Sequence, residues 1–151
     1  MSHWLLRIAT LYLAAGIALG LFMAVSHNHA EAPLHAHLNL LGFVTPALAA
    51  LWYRVQPAAA ETKLARAHFV LHNLGLPVMS GGLFVLLRGQ PAAEPFVAVG
   101  SMVVAAGIAC LVSNVWRCTD VRQPKLAAPP SLSTPQRTAM TASALASRSN
   151  P

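Results

Sequence analysis

Four apolar runs, each long enough to cross a bilayer as a helix, predict an all-α fold: an integral membrane four-helix bundle. Composition points the same way. Hydrophobic residues make up 56% of the 151 and charged residues only 9%, against roughly 25% charged in soluble domains. Mean hydropathy is +0.55. The runs are too long for barrel strands and lack their alternation, so they read as helices.

A hydrocarbon core about 30 Å thick takes roughly 20 apolar residues in a helix. Residues 4–25 form the first span, with Arg7 near enough to its end to extend its guanidinium to the interface. Its apolar run exceeds the roughly 7–15 residues of a signal-peptide core. Ala30-Glu31-Ala32 is only a faint cleavage pattern, so the span reads as retained. Residues 34–54 (LHAHLNLLGFVTPALAALWYR) form the second, 67–88 the third and 95–116 the fourth. Residues 1–118 thus form the transmembrane domain. Residues 119–151 hold Pro124, Pro129, Pro130 and Pro135 among Ser, Thr and Ala. Such a segment buries too little apolar area to order itself and reads as a disordered cytoplasmic tail.

The net charge of +6 is not gathered into a groove-reading patch, and no nucleic-acid motif is present. With four spans, Arg7, Arg54, Lys63, Arg66, Arg117, Arg122, Lys125, Arg137 and Arg148 share one side, leaving only Arg88 on the other. That asymmetry predicts both termini in the cytoplasm and the 26–33 and 89–94 loops facing outward. Cys110 and Cys118 lie eight residues apart on one helix, too far along its axis to form a disulfide.

Histidines carry the chemistry. Seven occur, and His27, His29, His35, His37, His68 and His72 fall within one stretch. Ionisable groups in or beside a span are functional candidates by default. His35, Asn39, Gly42 and Pro46 share one face of the second span, opposite an apolar face of Leu40, Val44, Leu48 and Leu51 directed to lipid. His37 is rotated about 200° from His35, so one helix cannot aim both at one ion. His68 and His72, at i and i+4 with Asn73, Gly75 and Pro77 following, repeat the theme in the third span. His27, His29 and Glu31, with His35 and His37, offer donors for copper or zinc in an outer site. Polar residues at a helix end equally account for His3, His27 and His29. Counting depth from the loops, His37 and His72 should lie something like 15–20 Å apart along the membrane normal. One haem iron then cannot take ligands from both helices of one protomer, so either two sites exist or a partner helix supplies the missing ligand.

The stretch His35-Ala-His-Leu-Asn-Leu-Leu-Gly-Phe43, with the Leu51-Trp-Tyr-Arg54 exit, is similar to the second helix of haem–copper oxidase subunit I, in the C-type and nitric oxide reductase branch. Over roughly residues 4–116 the chain also resembles short four-helix membrane proteins labelled cytochrome c oxidase subunit I-like. Their third helix has the flavour of His68-Phe-Val-Leu-His72-Asn-Leu-Gly-Leu-Pro77. The resemblance implies that His35 is an axial ligand of a low-spin haem b. It also implies a place in a respiratory chain and in a bacterial inner membrane. The oxidase helices that supply the other haem and copper ligands have no counterpart in this sequence, so oxygen reduction by this chain alone is not expected.

The expected function is therefore b-type haem binding for electron transfer, haem handling or respiratory-complex assembly. Candidate cofactor residues are His35, His72, His37, His68, Asn39 and Asn73. The expected partners are the lipid bilayer and a second copy or a larger respiratory complex. Two alternatives stand beside it: a copper or zinc binder using the outer histidines, and an accessory subunit with no cofactor.

Overall fold

The computed structural model describes residues 2–119. Its helices are α1 (Ser2–Ser26), α2 (Ala32–Val55), the single turn α3 (Pro57–Ala60), α4 (Lys63–Leu87) and α5 (Glu94–Thr119), the last entered through a 3-10 turn at Pro91–Ala93. The four long helices are each apolar enough to cross a membrane, as an integral membrane protein requires. They form an all-α four-helix bundle, as the composition predicts. The expected spans sit inside them, except that α4 ends one residue early. Gly89 terminates it with φ 85°, a left-handed conformation open to glycine at little cost. Thr119 closes α5, and the rest of the expected tail lies outside the described residues.

The bundle is built from two antiparallel hairpins, α1 with α2 and α4 with α5, and glycines set the spacing within each. A Cβ added to Gly75 would meet the Gly100 carbonyl and the Val104 nitrogen at 2.9 Å. One added to Gly107 would meet the His72 nitrogen at 3.0 Å. In the first hairpin, Tyr12 of α1 covers Gly42, while His35 and Asn39 of α2 cover Gly20 and Gly16. Helices in lipid gain no hydrophobic drive from meeting each other, so close backbone approach at small residues is what holds them.

Two apolar clusters fill the interior. Leu5, Ala49, Ala50, Tyr53, Ala59 and Ala65 occupy the end that holds the α2–α4 connection, and Leu76, Met79 and Val104 the middle. Around the outside stand Leu11, Leu21, Leu74 and Met102, each more than 60% exposed. A bundle that leaves such chains outside and buries so few is dressed for hydrocarbon. Leu40, Val44, Leu48 and Leu51 are likewise exposed, and Gly42 and Pro46 are buried, so the two faces read from the second span are the two faces it presents.

The α2–α4 connection is tied down by one buried amide. Asn114 of α5 donates from Nδ2 to the Ala59 carbonyl at 3.0 Å and accepts from the Thr62 hydroxyl at 3.0 Å. Thr62 in turn caps α4, its Oγ1 accepting from the Ala65 nitrogen.

Candidate functional site

His35 is built into the α1–α2 hairpin. Its Nδ1 donates to the Gly16 carbonyl at 2.9 Å, and its ring packs where a Cβ on Gly20 would come within 3.0 Å. Asn39, one turn on, donates from Nδ2 to the His35 carbonyl at 2.8 Å and lies 3.3 Å from His35 Nε2. An imidazole with Nδ1–H committed to a backbone carbonyl keeps its lone pair on Nε2, here turned to the Asn39 amide, and its ring is oriented as that of a metal-ligating histidine is. His35 is half-buried. On this observation His35 could hold a metal through Nε2 once the Asn39 amide turns aside.

His37 faces elsewhere, as its rotation on the helix predicts. Its Nδ1 donates to the Pro33 carbonyl of its own helix at 2.7 Å. His29 lies exposed in the α1–α2 loop, where its carbonyl accepts from the Ala32 nitrogen. His27, also exposed, adopts φ 51° at the end of α1. That left-handed turn costs a residue with a Cβ roughly 1–2 kcal/mol relative to glycine. His27→Gly should therefore raise unfolding stability by about 1 kcal/mol, measured by denaturant titration in detergent; a loss of stability would give the imidazole a role that the loop geometry does not. Among the described residues, no three His, Cys, Asp or Glu side chains converge on a common point. The outer donors are thus close in sequence without being gathered in space.

His68 and His72 are brought together. Both are essentially inaccessible, and their rings stand 5.4 Å apart, centre to centre. His68 Nδ1 lies 3.5 Å from the Tyr53 hydroxyl, and its Nε2 meets no partner among the described residues. His72 donates from Nε2 to the Leu41 carbonyl of α2 at 2.8 Å, leaving Nδ1 without a partner. Asn73 points away and donates to the Phe69 carbonyl of its own helix at 2.7 Å.

The His72 bond has a cause in the backbone of α2. Residues Leu38–Val44 form a π-helical stretch, in which each carbonyl accepts from the fifth residue on. The Thr45 nitrogen accordingly donates to the Leu40 carbonyl, joined there by the Thr45 hydroxyl at 2.9 Å. Leu41 should next accept from residue 46, which is Pro46 and has no N–H. In hydrocarbon an unpaired carbonyl is costly, and no water is at hand to relieve it. His72 supplies the missing donor from across the bundle.

This contact corrects the depth expectation. Leu41 is only one turn beyond His37, a rise of about 6 Å, so the His72 ring sits much nearer the His37 level than 15–20 Å. Counting residues from the loops neglects how far an imidazole reaches and how a π turn shortens the helix. His35 bonds the Gly16 carbonyl of α1 while His72 bonds the Leu41 carbonyl of α2, so each ring is committed to a different helix. Sequence reasoning gave Tyr53 no part beyond the Leu51–Arg54 exit and passed over Asn114 and the glycines Gly16 and Gly20. A small-xxx-small pair and a lone asparagine inside a span are the signals that mark such positions. Compared with protein-family models, with curated proteins and with solved structures, the chain matches none.

Proposed function

We propose that this protein is a b-type haem-binding integral membrane protein, in which His35 Nε2 would hold the haem together with a ligand from a second copy or another subunit. The observation that supports this most is the 2.9 Å bond from His35 Nδ1 to the Gly16 carbonyl, which fixes the ring and its tautomer. Glycines on α1 let the imidazole and Asn39 seat closely, and the exposed faces of α1 and α2 are available to a partner helix. Bound there, the haem would supply reversible one-electron chemistry. The chain's own part is to hold the ligand, shield it with lipid-facing apolar residues and keep His37 out of competition. Such a protein suits electron transfer, haem handling or respiratory-complex assembly, in a bacterial inner membrane with both termini inside.

The test is optical. Protein purified after haem-supplemented expression should give Soret and alpha bands in reduced-minus-oxidised spectra. His35→Ala should abolish them, and His37→Ala should leave them in place. A colourless native protein, or an unchanged spectrum in His35→Ala, overturns the reading. Stoichiometric copper or zinc without haem, lost on replacing His27 and His29, would favour the outer metal site instead.

A further inference from the structure

At the end of the bundle away from the α2–α4 connection, the α1–α2 loop and the end of α4 enclose an open cavity of about 580 Å³. Phe22, Ser26, Asn28, Glu31, Leu87 and Arg88 line it. Glu31 is 6% exposed, the only carboxylate buried among the described residues. It immediately precedes α2, yet its side chain makes no cap to that helix. Among the described residues it pairs with Arg88, whose nitrogen stands 3.8 Å from Glu31 Oε1, beyond hydrogen-bond distance. Oε2 has no partner among the described residues. A buried carboxylate oxygen without a donor is a costly feature that native structures seldom leave unexplained.

Arg88 is placed to serve the same cavity. Its side chain is 55% exposed, and its guanidinium rests 4.2 Å over the Phe84 ring. It is paired with Glu31 at 3.8 Å without a hydrogen bond, so its N–H fork can still donate to an anion at the cavity mouth. The site so presents a cation at its rim and, just beneath its lining, a carboxylate whose Oε2 has no donor, with Phe22 and Leu87 beside them. A zwitterion with a phosphate and a primary ammonium a few bonds apart, carrying acyl chains, matches all three.

We infer that this cavity is a binding site for a phospholipid with a primary-amine headgroup of the phosphoethanolamine type. The phosphate accepts from Arg88, the Glu31 carboxylate turns Oε2 toward the cavity to accept from the ammonium, and the acyl chains lie along Phe22 and Leu87. The ammonium discriminates. Full N-methylation, as in phosphatidylcholine, keeps the charge but removes every N–H that Oε2 needs. Headgroups lacking the amine, as in phosphatidylglycerol, offer no cation to the carboxylate. This site is separate from His35, and its test is independent of haem.

The full chain, delipidated in detergent, is titrated with phosphatidylethanolamine, phosphatidylcholine and phosphatidylglycerol of one acyl composition and read by native mass spectrometry. Phosphatidylethanolamine should bind about tenfold tighter than phosphatidylcholine, the worth of one charge-assisted hydrogen bond. Glu31→Gln should bring the two within about twofold, since a neutral amide loses the charge assistance. Arg88→Leu should weaken all three lipids together. The native chain is also titrated with the mono- and dimethylated ethanolamine lipids, so the inference stays testable if a variant fails to fold; affinity should fall as N–H groups are removed. Equal binding of the ethanolamine and choline lipids, or a preference untouched by Glu31→Gln, overturns the inference. Soluble phosphoethanolamine competing as well as the lipid would overturn the lipid assignment and leave a free zwitterion as the ligand.

Discussion

Replacing His72 with phenylalanine should destabilise the bundle by about 3 kcal/mol, the upper range for stranding a buried polar group, and most of that loss should vanish in a chain that already carries Pro46→Ala. Phenylalanine fills the space but offers no N–H, so the Leu41 carbonyl is left bare between α2 and α4. Alanine at position 46 restores an amide at the place where the π-helical ladder expects one, five residues after Leu41. With that bond available, the imidazole becomes dispensable for the backbone. A double-mutant cycle, read by denaturant unfolding in mixed micelles, should show a coupling above about 1 kcal/mol between positions 46 and 72. Additive losses, within about 0.5 kcal/mol, would mean that His72 is held for another purpose and that the Leu41 contact is incidental.

The same contact shows where sequence reasoning reached and where it stopped. Hydropathy over some twenty residues is a property of each segment alone, so the four spans could be read off directly. The polar and lipid faces of the second span were legible for the same reason. His35 and Asn39 are one turn apart on any helix, and their pairing follows without knowledge of the neighbour. His72 differs, because its partner lies on another helix at a height set by a π turn that no residue count reveals. Pro46 hinted at it, since a proline inside a span must free a carbonyl somewhere. Glu31 was visible only as a loop acid among histidines. That its carboxylate turns toward Arg88 rather than toward them depends on how two loops from different hairpins meet, a relation that neither loop encodes by itself.

Glycine spacing carries the second large effect, and here one helix pair contains its own control. A methyl group on Gly100 would lie 2.7 Å from the Met79 Cα, and a backbone atom cannot rotate out of the way. A methyl group on Gly81 would meet nothing within 4 Å. Gly100→Ala should therefore push α4 and α5 apart and destabilise the protein by about 2–3 kcal/mol, the range for overpacking a tight contact. Gly81→Ala should instead be neutral or stabilise by about 0.5–1 kcal/mol, because alanine loses less backbone entropy in a helix interior. Both changes add one methyl group to an apolar helix, so hydropathy and helix propensity alike predict the same outcome for each. Only the distance between the two backbones separates them. Thermal unfolding in one detergent reads the difference. Equal stability for the two variants would mean that the hairpin does not pack at the separation described, and the placement of His72 against Gly107 on the same interface would fall with it.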